Sequence, residues 1–368
     1  MRRLYWQPRK ISRIKLVLIA LWSLCGYVAV EYLLVEQQQP YYEEKLQASR
    51  LAQSALEAIK AERTRLGPAI DPESDPAGSG LIGDVFSPIT SGSGSLASKQ
   101  TTVNPNWAAL IVHWLKRLEL VEGDVVAVAC SGSFPALNIA VYAALKTLKL
   151  RPVVISSTAA SQWGANVPDF TWLDMESLLR EHGIFMFKSA AASRGGVGDR
   201  GLGLPKAGRQ MLDAAIERNS VPRIDAKDEV GSVDQRMNIY FAQAGDAPIK
   251  AYVNVGGGTI SVGTRVQKLE FEPGITTRPP RLATEITSVM GEFLKRDIPV
   301  IHLGKVVRLA NRYGFELAPT TTPAVGAGKV FVQRQYNRWL AAAVLLSIVI
   351  VIAVFLRMRI RFDAGEEK

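Results

Sequence analysis

The chain has 368 residues, 48% of them apolar, with 44 Lys and Arg against 34 Asp and Glu and a formal net charge of +10. That length suits one large domain or two small ones, and two cysteines, Cys25 and Cys130, are too few to build a disulfide scaffold. Much of the charge sits at the two ends rather than on a nucleic-acid-binding face. Residues 1–35 carry six basic residues and one acid, residues 339–368 four and three, and residues 36–338 carry 34 and 30.

After a basic tail, residues 1–15, the stretch 16–35 (LVLIALWSLCGYVAVEYLLV) is long and apolar enough to cross a bilayer. It exceeds an ordinary signal core, and Glu36-Gln37-Gln38-Gln39-Pro40 offers no cleavage site, so it reads as an uncleaved anchor. Glu31 lies about a turn from its outer end, where a carboxylate reaches the interface; an intramembrane acid also marks a partner helix or a proton path. Residues 36–66 have helical spacing of Leu46, Ala52, Ala55, Leu56 and Ile59, which predicts a juxtamembrane helix continuing the span. Residues 67–105 are thick with Gly, Ser, Pro and Thr, the composition of a linker. Leu81-Ile82 and Val85-Phe86 are apolar islands that a tether does not need.

Residues 106–330 alternate between strand and helix patterns. Helices are predicted at 107–120, 135–149, near 174–182 and at 206–219, with strands at VVAVAC, PVVIS, IFMF, IKAYVNV, GTISVG and PVIHL. Continuous apolar strands separated by helices predict a three-layer α/β domain with a mostly parallel sheet. Residues 339–356 (WLAAAVLLSIVIVIAVFL) form a second uncharged span, and Arg357, Arg359 and Arg361 lie in the closing tail, 357–368. The positive-inside rule puts both tails in the cytoplasm, making a two-pass protein of the cell (inner) membrane with an extracytoplasmic domain.

Parallel sheets hold ligands beyond the carboxyl ends of their strands. Four successive strand ends are small, hydroxylic or glycine-rich. VVAVAC is followed by Ser131, Gly132 and Ser133, with Asn138 in the next helix, and PVVIS by Ser157, Ser161, Trp163 and Asn166. IFMF is followed by Arg194 among glycines, and AYVNV by Gly256, Gly257, Gly258 and Thr259. Ser133 is placed to cap the helix that begins near Pro135, and the helix start and Arg194 would suit a carboxylate or phosphate. No G-x-S-x-G surrounds Ser131 or Ser133, and no P-loop is present. His113, His182 and His302 are too dispersed for a zinc site, although His302 follows a strand and could face the cleft. Neither a metal nor a cofactor is expected, and no catalytic set is assigned.

Three stretches together resemble one family: GLIGDVFSPITSGSGSLASKQTTVNPNWAALIV, GDVVAVACSGSFPALNIAVYAAL and SSTAASQWGANVPDFTWLDME. The chain is similar over about residues 80–260 to the poly-gamma-glutamate system protein family. That resemblance implies a membrane-bound accessory of capsule polymer synthesis or export. It brings no reaction and no catalytic residues. It also implies that residues 80–106 are an ordered part of the site, which adds Lys99, Thr101 and Asn104 to the candidate cleft. Two functions are therefore expected in turn. The first is an accessory that binds the anionic polymer, or its synthase or export subunits, outside the membrane. The second is a hydrolase or transferase acting on that polymer through Ser131 or Ser133.

Overall fold

The computed structural model describes residues 12–67, 69–264, 267–280 and 287–356. They belong to two compact units, one formed by the end segments through residue 38 and from residue 332, the other by residues 39–331. Helix α1 (Arg13–Tyr32) is followed by strand β1 (Leu34–Gln38), which turns into helix α2 (Tyr42–Leu66). The predicted continuous helix through residue 36 is thus broken. Leu34–Gln38 is extended because its backbone pairs with a second strand near the other end of the chain.

In the larger unit, residues 69–95 fold onto the body without long elements. Leu81 and Ile82 are buried, as is Ile89, which accounts for the first apolar island in a linker-like composition; the second, Val85-Phe86, is exposed. Helix α3 (Leu96–Thr102) starts where the Ser95 hydroxyl accepts from the Ser98 N–H. Helix α4 (Trp107–Arg117) is buried along most of its length. Strand β2 (Val125–Ser131), helix α5 (Pro135–Thr147) and strand β3 (Arg151–Ser157) form a parallel crossover, with Pro135 at the first helical turn. The short hairpin β4 (Asn166–Val167) and β5 (Phe170–Thr171) leads to α6 (Trp172–Glu181), which is closed by a capping box between Thr171 and Asp174.

The predicted strand at Ile184–Phe187 is not one. The Phe185 and Phe187 rings pack on Tyr142 at 5.6 and 5.3 Å between centroids, so the buried Phe185 and half-buried Phe187 are held by ring contacts rather than by pairing. The edge strand is instead β6 (Ala191–Ser193), followed by helices α7 (Lys206–Arg218) and α8 (Glu229–Ala244). Strand β7 (Ile249–Val255) ends at Gly256, whose φ of +85° turns the chain sharply. The turn sends the predicted strand GTISVG into a helical turn, α9 (Thr259–Val262). Strand β8 (Gly274–Thr276), helix α10 (Val289–Leu294), strand β9 (Val300–Leu303) and helix α11 (Val306–Tyr313) complete the unit.

The six-stranded sheet has the order β6-β3-β2-β7-β9-β8, parallel except for the antiparallel edge strand β8. Strand β2 is apolar and buried along nearly its whole length, as burial on both faces requires. Val125, Ala127 and Ala129 join Met237 and Tyr240 of α8 and Phe293 of α10 in one core. The opposite layer is formed by α2, α4 and α5, which pack on one another. The chain is a mixed α/β protein with a mostly parallel central sheet.

In the unit of end segments, β1 pairs antiparallel with β10 (Val332–Tyr336), which leads into α12 (Arg338–Leu356). Helices α1 and α12 are long and apolar enough to cross a membrane, with mean hydropathies of 1.8 and 2.5. They approach closely: a Cβ on Gly26 would lie 2.5 Å from Val344, and the Trp22 indole donates to the Ser347 hydroxyl at 3.0 Å. Glu31 accepts a 3.0 Å hydrogen bond from the Tyr336 hydroxyl, so its partner lies on the ribbon strand β10.

Candidate functional site

Strands β2 and β3 end side by side, with Ser131 paired to Ser157 in the parallel register. The two loops that follow touch through glycine. A Cβ on Gly132 would lie 2.8 Å from the Thr158 carbonyl oxygen, and one on Gly164 2.9 Å from the Gly132 carbonyl oxygen. The Gly132 N–H donates to the Ser157 carbonyl at 2.9 Å, and the Ala165 N–H to the Gly132 carbonyl at 2.7 Å. The buried Asn138 side chain secures Ser131 from the first turns of α5, donating to its carbonyl at 2.9 Å and accepting from its N–H at 3.3 Å.

Ser133 is not the helix cap. Phe134 holds the capping position without a side-chain bond, and the Ser133 hydroxyl accepts from the Ser161 N–H at 3.0 Å. The hydroxyl is thereby recruited to join the β2 loop to the β3 loop. Ser131 Oγ accepts from the Ser133 N–H at 3.2 Å.

The side chain of Lys99 lies where these loops meet. It reaches from α3 with only 2% of its surface exposed and donates to the Ser133 carbonyl and, at 2.9 Å, to Ser161 Oγ. Its amine also stands 3.9 Å from the centroid of the Phe134 ring. Burial removes the hydration that favours an ammonium and pulls the amine down to about 7. Ser161, Ser133, Ser131 and Phe134 are each half-buried, so this cluster is both anchored and reachable. Gly256 completes it from β7: a Cβ there would lie 3.4 Å from Ser131 Oγ.

Several predicted residues hold the site rather than face it. Asn166 is buried, with its side chain bonded to both backbone groups of Asp84 and, at 2.8 Å, to Thr90 Oγ1. Trp163, in a left-handed conformation with φ of 57°, donates its N–H to the Asp84 carbonyl at 2.9 Å. These bonds fasten residues 84–90 over the β3 loop. Gly257 is exposed, and Gly258 and Thr259 open α9.

Three predicted residues are turned to other work. Thr101 donates to the Ala97 carbonyl at 2.6 Å and accepts from the Ala318 N–H at 3.0 Å. Asn104 accepts from the Asn106 N–H at 2.9 Å, shaping the entry to α4. Arg194 forks onto Asp213 at 2.7 and 2.6 Å, so its guanidinium is already neutralised.

His302 does not serve a serine. It is buried, its Nδ1 accepts from the Asn254 amide at 3.0 Å, and burial pushes the ring down to about 4. Among the described residues, no imidazole, carboxylate or amine hydrogen-bonds the hydroxyl of Ser131 or Ser133. The described residues also contain no metal-ligating cluster. A concavity of about 330 Å³ lined by Val125, Arg151, Lys188 and Ser189 opens at the amino ends of β2 and β3, the end of a parallel sheet not used for ligands.

The Lys99–Ser161 pairing had a signal in the sequence only as two unrelated polar residues, 62 positions apart. Nothing in their spacing joins them.

No family model matches the chain, and no curated protein matches it. One solved structure, the crystal structure of O-ureido-L-serine synthase, is 17% identical with a TM-score of 0.18, covering 66% of this chain and 80% of that one. At that level the likeness assigns neither fold nor activity.

Proposed function

We propose that the protein is a membrane-anchored accessory of poly-gamma-glutamate synthesis or export. In this reading α1 and α12 span the cell membrane, both termini are cytoplasmic, and the α/β unit faces the extracytoplasmic side, where it holds the anionic polymer or a synthase subunit. The basic residues flanking the spans favour that orientation. The observation that carries the binding reading is Lys99, a buried amine set between the Ser133 carbonyl and the Ser161 hydroxyl at the carboxyl ends of β2 and β3. A polymer carboxylate that reached this amine would restore its proton and gain a charge-assisted hydrogen bond.

Retention of the full-length protein, in detergent, on immobilised poly-gamma-glutamate tests this. Binding is expected at low salt, weakening as salt rises, and stronger at pH 6 than at pH 8.5, because Lys99 is charged below about 7. If the polymer is not retained at low salt and no synthase subunit co-purifies, the reading fails.

A further inference from the structure

We propose that Ser161 and Lys99 form a nucleophile–base pair for acyl transfer on an amide or ester. Ser161 is the half-buried hydroxyl that the Lys99 amine touches at 2.9 Å, within the reach that proton transfer needs. The amine is fixed at the same time by the Ser133 carbonyl and by the face of Phe134. The nucleophile is also fixed, since its own N–H is tied to Ser133 Oγ at 3.0 Å. Ser133 is a positioning residue in this scheme, and it keeps a hydroxyl proton to offer beside the reacting atom. A lysine serves as such a base only when neutral, and desolvation supplies that state from about pH 7 upward.

Among the described residues, no carboxylate pairs with Lys99. Helix α11, which packs on α3, brings Arg308 and Arg312, with Lys305 at its start. Lys305 and Arg308 are paired with Glu272, and Arg312 reaches the Pro273 carbonyl at 3.4 Å. Nothing there restores the lysine's charge.

The step balances without another reagent than water or an acceptor. Lys99 takes the Ser161 proton as Oγ bonds to the acyl carbon. The resulting ammonium then gives that proton to the departing amine or alkoxide as its bond to the acyl carbon breaks. Water, or an acceptor amine or hydroxyl, attacks the acyl-serine and loses its proton to Lys99, which returns it to Ser161.

The assignment goes beyond polymer binding and does not depend on it, so the test uses a probe unrelated to the polymer. Full-length protein in detergent is treated with an alkyl fluorophosphonate, and the modified peptide is located by mass spectrometry. Labelling is expected at Ser161, rising with pH through about 7, absent in Ser161→Ala and slowed about 100-fold or more in Lys99→Met. Ser133→Ala should label at Ser161 but more slowly. Thermal unfolding of each variant reports whether it is folded, and the pH profile of the unaltered protein provides a readout that no variant can disturb. Labelling at another residue, no labelling at pH 9, or a rate independent of pH would overturn the assignment. Polymer binding without labelling sinks this pair alone, and labelling with neither polymer retention nor a co-purifying synthase subunit sinks only the accessory reading.

Discussion

Arg236 and Lys99 are both buried basic side chains near carboxyl ends of sheet strands, Arg236 at the edge strand β6 and Lys99 at β2 and β3, and they are held in opposite ways. Arg236 pairs with Asp199, and the two share Ser193 and Ser232 in a network whose members are all buried. That closed set locks the glycine-rich loop after β6 to α8. Among the described residues Lys99 has no counter-ion; hydroxyl, carbonyl and ring atoms surround it, and one of them, on Ser161, remains reachable. A paired charge is satisfied and inert. An unpaired one keeps its free energy available for a proton, a carboxylate or a nucleophile, which is the usual condition of groups at functional sites.

Breaking the closed network should produce the largest effect. Asp199→Ala leaves Arg236 buried without its partner and is expected to lower stability by about 3–5 kcal/mol, read by thermal or denaturant unfolding of the full-length protein. The same kind of deletion at the open site should act in the other direction. Unfolding exposes Lys99, which then holds its proton up to about 10.5, whereas the folded form loses it near 7. Between those values the unfolded chain binds more protons, so stability from this group rises with pH, by up to about 1.4 kcal/mol per unit. Lys99→Met should remove that slope and stabilise the fold at pH 7. The buried Lys45, pulled down by burial to about 8, contributes in the same direction and remains in both proteins, so the difference between their pH profiles isolates Lys99. An unchanged slope in Lys99→Met would show that the amine is not desolvated. The smallest effect is expected at Arg194, where the contact with Asp213 is partly exposed. Arg194→Gln should cost about 0.2–1 kcal/mol and leave retention on poly-gamma-glutamate unaltered; a large loss of retention would return Arg194 to the ligand face.

Much of the architecture could be read along the chain because local rules governed it. The apolar runs at β2, β3, β7 and β9 and the proline at the start of α5 sit where periodicity puts them. Helix α8 was equally legible, with Asp228 accepting from the Gly231 N–H as a cap and Val233, Met237, Tyr240 and Ala244 on one face, but it was missed in the sequence. The misassigned stretches were those where distant packing decided the outcome. Phe185 and Phe187 are apolar enough for a strand, yet Tyr142 offered them rings. Leu34–Gln38 continued a helical pattern, yet β10, some 300 residues later in the chain, offered it a backbone.

By itself the sequence determined the two apolar spans, the parallel sheet, and a set of hydroxyl-rich strand ends. It also determined Gly132 and Gly164, which permit two loops to approach closer than any side chain allows. Only the tertiary structure decided which polar groups are satisfied. Arg194 and Asp213, or Arg236 and Asp199, become pairs because the fold brings them within hydrogen-bond distance, and Lys99 becomes unusual because the fold buries it with no carboxylate partner among the described residues. Hydrogen bonding and desolvation depend on distance in space, and residue spacing carries that information only within a helix turn or across a strand.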